Sequence, residues 1–175
     1  MKILQESYPT VQEIKELTYN SLLRFWKNER TAQIEYMHIK ESAFRNCKKW
    51  YNSLQFPMKV YRSLDISAEM FYKNPETLGV RADDVGIHWT TDPELYYQSN
   101  ELAGNLLLST VINKDDVDWD RTLPLYIFWT SNSRNNYDDY PENELLLKKG
   151  PKFQDCEVEE DDIYFEDALD YDEDD

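Results

Sequence analysis

The chain has few of the residues that usually form a metal site or a disulfide framework. Among its 175 residues there are two cysteines and two histidines. Cys47 and Cys156 are far apart and in no metal-ligand spacing, so we expect free thiols in a reducing compartment. His38 and His88 are too few and too separated for a histidine-rich metal site. We therefore expect no bound metal.

Long apolar runs are missing as well. No segment approaches the ~20 residues of a membrane-spanning helix, and the first residues contain no signal-peptide h-region. We expect a cytoplasmic protein with no membrane contact; delivery into a host cell by a phage or another signal-less route is the alternative. A hydrophobic content of 41% favours a folded chain, long enough for one domain with a core.

Basic residues are absent from the end of the chain. Thirteen of the 35 acidic residues follow Lys152, and no Lys or Arg does, which leaves 22 acidic against 19 basic residues in 1–152. Most of the net charge of −16 is therefore terminal. This distribution predicts a single domain over 1–158 and an acidic tail over 159–175. Because such a tail repels phosphate, we do not expect direct nucleic-acid binding.

The first part of the chain, residues 1–56, is predicted to be mainly helical. Thr10 to Glu13 fits a capping box, and two series of apolar residues spaced three and four apart follow it. The first series is Val11, Ile14, Leu17, Leu22, Phe25 and Trp26. The second is Tyr36, Ile39, Ala43, Phe44, Cys47, Trp50, Tyr51 and Leu54.

From residue 57 to 158 the composition is typical of strands. Short helical pieces are expected at 68–72 and after Pro93, and a polar loop at 130–140. The helices-then-strands order predicts the α+β class. The predicted strands are Met58–Leu64, Val85–Thr90, Leu106–Ile112, Leu125–Trp129, Leu145–Leu147 and a sixth at Phe153–Val158.

Two carboxylates stand directly before the last leucine run. Alternate side chains of a strand share a face, so Glu142 and Glu144 would aim at one cavity if the strand begins by Glu142. A carboxylate at the start of a core strand is costly unless something uses its charge. A solvated pair at a strand end is the alternative.

Two further segments carry candidate site residues. Arg62 lies within an otherwise apolar strand. If its side chain faces inward, the planar guanidinium group suits a phosphate or a carboxylate; a side chain that faces solvent is the alternative. The segment 86–92 combines a glycine, His88, Trp89 and hydroxyls such as Thr90. This mixture suits a flat ligand with polar edges; a buried histidine beside a core tryptophan is the alternative.

Together, these segments resemble the three motifs of the ADP-ribosyltransferases of the arginine–serine–glutamate, toxin-like class. Val60–Leu64 resembles the first motif, an aromatic residue and an arginine on a core strand. Residues 86–92 resemble the second, with a tryptophan between hydroxyl residues, and residues 142–150 resemble the third, Glu-x-Glu followed by an aliphatic strand and a turn. The resemblance spans about residues 59–153. It departs at His88, where the class usually has serine.

The resemblance implies a core of two small mixed or antiparallel sheets with the N-terminal helices packed on it. It also implies a mono-ADP-ribosyltransferase that uses NAD⁺ as substrate and modifies a protein target, with arginine as the expected acceptor. Glu144 would stabilise the ribose cation, and Glu142 would orient the acceptor. The residues expected to bind NAD⁺ are Arg62, Ser63, His88, Trp89, Thr90 and Tyr97. The alternatives are an NAD⁺ glycohydrolase and an inactive, acidic binding or inhibitor protein of the same fold.

Overall fold

The computed structural model describes residues 10–26, 39–64, 81–93, 106–132 and 143–161. These ranges contain three α-helices and five strands, so the α+β class is confirmed. The helices are α1 (Val11–Trp26), α2 (Glu41–Ser53) and α3 (Trp119–Asn132). The strands are β1 (Met58–Leu64), β2 (His88–Thr90), β3 (Leu106–Ile112), β4 (Glu144–Leu146) and β5 (Glu157–Asp161).

The described strands form one antiparallel sheet in the order β4-β2-β1-β3-β5. Its centre is the pair β1 and β3, which has the predicted bounds at both ends. The two strands pair at seven successive positions, from Met58 with Ile112 to Leu64 with Leu106. The predicted helical pieces at 68–72 and beyond Pro93 lie outside the described residues, as does 133–140 of the predicted loop. The first three residues of that loop, 130–132, belong instead to α3.

The first helix begins at the predicted capping box. Thr10 Oγ1 accepts a hydrogen bond from the Glu13 amide at 3.1 Å, and the Glu13 carboxylate accepts one from the Thr10 amide at 2.6 Å. These bonds satisfy amide groups that have no partner within the helix. They also lower the pKa of Glu13.

Among the helices of the described ranges, none is long and apolar enough to cross a bilayer.

The strand predicted at 125–129 is wrong, because this segment belongs to α3. Its run of aromatic and β-branched residues has high strand propensity, but the buried positions recur with a helical period. Half of those buried positions are polar, so the helical spacing cannot be recognised from the apolar residues alone. The stripe consists of Thr122, Leu123, Tyr126, Ile127, Thr130 and Ser131, each at most 7% exposed.

A proline inside α3 leaves one backbone carbonyl without its helical donor. Pro124 has no N–H, so the Asp120 carbonyl, four residues earlier, loses its usual intrahelical hydrogen bond. The Ser21 hydroxyl of α1 donates to this carbonyl at 3.1 Å. Ser21 is 2% exposed, so a buried side chain replaces the missing backbone donor and joins the two helices.

The three helices pack on one face of the sheet, which we call the helix face. The main core joins Val60, Leu64, Trp89 and Leu145 of the strands with buried side chains of all three helices. Strand register puts Leu107 and Leu146 on the opposite face. Both are buried, at 3% and 4% exposure, but neither belongs to the main core cluster. We call this second face the open face.

The last described strand extends three residues past the predicted domain boundary at 158. Phe153–Asp155 is a 3₁₀ turn, and β5 follows it to Asp161. Glu159 lies at a register irregularity of β5. Its carboxylate accepts a hydrogen bond from Ser109 at 2.6 Å and lies 2.6 Å from the ammonium of Lys59. The contacts with Lys59 and Ser109 lower the pKa of Glu159 from its usual value.

We predict that Ser21→Ala destabilises the fold and that Thr18→Val does not. Ser21→Ala leaves the partly buried Asp120 carbonyl without this donor, which costs on the order of 1 kcal/mol of unfolding free energy. The Thr18 hydroxyl is buried and has no hydrogen-bond partner within the described part of the chain. Its replacement by the isosteric valine should therefore be neutral or slightly stabilising. Urea unfolding of both variants measures the difference; equal losses would contradict the proposed role of Ser21.

We also predict that a chain ending at Val158 melts at a lower temperature than one ending at Asp161. The comparison isolates the last three residues of β5, including the contacts of Glu159 with Ser109 and Lys59. Because the pKa of Glu159 is lowered in the folded state, its contribution is present above the unfolded pKa and is lost as pH falls through the folded pKa. The difference between the two chains should therefore shrink below about pH 4. Equal melting temperatures at pH 7 would show that the end of β5 adds nothing.

Candidate functional site

The strand that carries Glu144 is held at its outer edge by α3. Thr122 Oγ1 accepts a hydrogen bond from the Leu146 amide at 3.1 Å, and the Asp118 amide donates to the Leu146 carbonyl at 2.8 Å. Thr122 is fully buried. A three-residue edge strand would otherwise leave these backbone groups unpaired. The helix therefore fixes the position of β4 and of the carboxylate at its start.

Strand register sorts the predicted site residues between the two faces of the sheet. Tyr61 of β1 pairs with Thr90 of β2, and Thr90 pairs with Glu144 of β4. Directly paired residues share a face and neighbours in sequence do not. The predicted site residues on the open face are Ser63, His88, Thr90 and Glu144, and those on the helix face are Arg62 and Trp89.

On the open face, the side chains of His88 and Glu144 are in hydrogen-bonding contact through Nδ1 and Oε1. The carboxylate is largely covered, with 17% of the side chain exposed, whereas 56% of the imidazole is exposed. An ionised carboxylate can only accept hydrogen bonds, so this contact suits the tautomer of the ring with the proton on Nδ1. Two residues 56 positions apart in sequence thus form one polar pair on adjacent strands.

The backbone just before Glu144 differs from the predicted extended strand. Asn143 has a φ of 43°, the left-handed region that asparagine tolerates better than most residues. The strand therefore begins at Glu144 rather than by Glu142. The alternation that would have aimed both glutamates at one cavity does not apply across Asn143. Glu142 itself lies outside the described residues.

Arg62 reaches across to β2 and bonds its backbone. Nη1 donates to the His88 carbonyl at 2.7 Å, beyond the position where Tyr61 pairs with Thr90. Burial lowers the pKa of Arg62, while the carboxylates of Glu144 and Asp84 oppose that shift. Nε is buried and has no hydrogen-bond partner in the described part of the molecule. The side chain therefore ties two strands together, and its binding of NAD⁺ stays a prediction.

Two glycines make room for this arrangement. A Cβ on Gly86 would lie 2.7 Å from Nη2 of Arg62, and the φ of Gly86 is 100°. A Cβ on Gly150 would lie 1.8 Å from the Asp84 carboxylate, which also accepts the Gly86 amide at 3.0 Å. A side chain at either glycine would displace the turn that leads into β2.

Trp89 does not lie where a residue that contacts NAD⁺ is expected. It is 1% exposed and lies in the main core. Its indole donates to the Gly86 carbonyl at 2.9 Å, so its polar group is satisfied inside the protein. The tryptophan is therefore in the core, as the alternative had it, whereas the histidine of that alternative is exposed, and the indole ring offers no surface to a ligand.

The hydroxyl of Thr90 accepts a hydrogen bond from the Asp92 amide at 3.1 Å and shapes the turn after β2. Tyr97, the other predicted aromatic contact, lies outside the described residues. Tyr61 was not predicted as a site residue, yet it stands in line with Thr90 and Glu144 on the open face. The alternation of Tyr61 with Ser63 along β1 was the signal that could have found it.

Taken together, the described site can supply a covered carboxylate, an exposed imidazole and hydroxyls on one face of three neighbouring strands. Such a set suits proton transfer and the stabilisation of positive charge on a bound molecule.

Within the described ranges, no group of three His, Cys, Asp or Glu side chains could hold a metal ion. Cys47 and Cys156 are free thiols, and burial raises the pKa of Cys156 to about 11.

Comparisons with known proteins add no relative. No family model matches the chain, and no match was found among curated proteins or among solved structures.

We predict that the guanidinium of Arg62 and the absence of a side chain at Gly86 are energetically coupled. Gly86→Ala should lower the unfolding free energy by about 1–3 kcal/mol, because it strains the backbone and displaces the guanidinium. With Arg62→Ala also present, the steric part of this cost disappears and the strain remains. The two losses should therefore be less than additive in a double-mutant cycle. Strictly additive losses would contradict the close packing of the two residues.

Proposed function

We propose that this protein is a mono-ADP-ribosyltransferase that transfers ADP-ribose from NAD⁺ to a protein side chain and releases nicotinamide. The observation that carries the proposal is the meeting of three motif-like segments on three neighbouring strands. Arg62 of β1 bonds the backbone of His88 in β2, and His88 bonds Glu144 of β4. Segments up to 82 residues apart in sequence thus form one continuous arrangement. The two-sheet, ADP-ribosyltransferase-like fold is part of this proposal.

The chemistry needs a carboxylate where Glu144 lies. Cleavage of the nicotinamide–ribose bond proceeds through an oxocarbenium-like transition state, as in glycoside hydrolysis. A carboxylate that is already fixed in place stabilises this developing charge without reorganising. The contact with His88 and the anchoring of β4 by Thr122 supply that fixation.

Other residues have supporting roles in the proposal. Arg62 positions β2, and with it His88, by its bond to the His88 carbonyl. Thr90 and Ser63 offer hydroxyls on the face that carries Glu144. Glu142 would act on the acceptor, for which the class resemblance favours arginine. NAD⁺ is a substrate here, and the described residues that fit its ribose are the covered carboxylate and the exposed imidazole.

A second candidate function is NAD⁺ hydrolysis, with water in place of the protein acceptor. The imidazole where the class usually has serine favours it, because 56% of that side chain is exposed beside the carboxylate. An exposed imidazole can take a proton from water, which a serine hydroxyl does poorly at neutral pH.

We predict that the two glutamates differ in their effects. Glu144→Gln should reduce nicotinamide release by a hundredfold or more with or without acceptor, equivalent to about 3 kcal/mol of transition-state stabilisation. Glu142→Gln should stop arginine modification but spare much of the hydrolysis, because the Glu142 carboxylate acts on the protein acceptor and not on the ribose. Glu160→Gln, which alters an exposed carboxylate of β5, is the matched control and should retain full activity.

The measurement is nicotinamide release from labelled NAD⁺ with and without a cell lysate, for the wild type and the three variants. Equal loss of both activities in Glu142→Gln and Glu144→Gln would refute the division of labour. Absence of nicotinamide release from the wild type with every lysate tested would refute the enzyme and favour an inactive binding protein of this fold.

A further inference from the structure

The environment of His88 differs on its two ring nitrogens. Nδ1 contacts the carboxylate of Glu144, and the carboxylate is the more covered partner, at 17% against 56% exposure. When Nδ1–H donates to a carboxylate, the neutral ring keeps its lone pair on Nε2. A covered carboxylate behind an exposed imidazole is the arrangement that holds a histidine base in its active tautomer and stabilises the imidazolium that forms.

The charged groups around this pair support the same assignment. Within the described ranges, β4 contributes Glu144, and β1 contributes Arg62 at the His88 carbonyl. Asp84, in the turn before β2, acts on the Arg62 guanidinium. The guanidinium touches the backbone of His88, whereas the carboxylate of Glu144 touches its ring. The contact made by the ring itself is therefore with the carboxylate, the group that would be paired with an imidazolium formed during the reaction.

Resting on the proposed use of NAD⁺, we propose that His88 is the general base that activates water, so that the protein is also an NAD⁺ glycohydrolase in its own right. The water oxygen forms a bond to C1′ of the nicotinamide ribose. The bond from C1′ to the pyridinium nitrogen breaks, and its electron pair leaves with nicotinamide. The proton lost by water goes to Nε2 of His88, and the resulting imidazolium is paired with Glu144. The products are ADP-ribose and nicotinamide, and the proton passes to solvent.

This assignment divides the two acceptors between two residues. Glu142 serves the protein acceptor in the proposed function, whereas His88 serves water. Removing the base should therefore reduce hydrolysis more than transfer. A general base typically contributes a factor of about 10²–10⁴ to the rate, which sets the size of the expected effect.

The decisive variants are His88→Asn and His88→Ala. Asparagine places an amide donor where Nδ1 stands and can keep the bond to Glu144, but it has no basic nitrogen. If His88 only positions the carboxylate, His88→Asn should retain hydrolysis and His88→Ala should lose it. If His88 is the base, both should lose about a hundredfold or more in ADP-ribose formation. Both should also lose the part of the pH profile in which the wild-type rate rises with pH.

The experiment measures ADP-ribose and nicotinamide from NAD⁺, with and without a small guanidine acceptor, for the full chain and both variants. His38→Gln, which removes the other histidine of the chain, is the control. Hydrolysis by His88→Asn within about threefold of wild type, with an unchanged pH profile, would overturn the inference while leaving the transferase proposal intact. Absence of nicotinamide release from wild type under every condition would overturn both.

A second measurement needs no turnover. Nitrogen-15 spectra of the imidazoles report which ring nitrogen carries the proton. Because the chain has two histidines, a variant that lacks one of them assigns the signals of both. We expect the neutral His88 ring to be protonated at Nδ1 in the wild type and to lose this preference in Glu144→Gln. A ring protonated at Nε2 in the wild type would overturn the inference whatever the activity.

Discussion

The site depends on the pairing of Leu146 with α3. This edge strand is only three residues long, and its outer backbone groups are satisfied by the Thr122 hydroxyl and the Asp118 amide. Without those two bonds, the amide and carbonyl of Leu146 would be unpaired at the edge of the sheet, two residues from Glu144. The carboxylate is therefore located by a helix that carries no site residue.

The same helix shows where a sequence can mislead. β1 and β3 were predicted with their correct ends, because continuous β-rich runs bounded by turns leave little ambiguity. The helix α3 was missed because Thr122, Thr130 and Ser131 occupy its buried stripe. Pro124 also suggested a boundary, and no local pattern reveals that Ser21, about 100 residues earlier, replaces its missing donor. Tertiary contacts override local propensity at such places.

The site could be predicted only in part, for a related reason. The order of the motifs brought Arg62, His88 and Glu144 into one hypothesis, with their side chains expected at one cleft. In the structure Arg62 bonds the backbone of His88 and the ring of His88 contacts Glu144, but Arg62 lies on the opposite face of the sheet from Glu144. The faces could not be predicted, because they depend on register, and a shift of one residue moves every side chain to the other side. Arg62 and Trp89 consequently lie on the helix face. Arg62 bonds the backbone of His88, and Trp89 fills part of the core.

The acidic strand at the other end of the sheet has a consequence for self-association. β5 is the last strand of the described sheet, and Glu157, Glu159 and Glu160 are all exposed. A sheet edge can pair with the edge of another molecule, and closely spaced like charges oppose such pairing. At neutral pH these carboxylates therefore oppose the pairing of two copies through this edge, and the contact of Glu159 with Lys59 holds the strand against its own sheet.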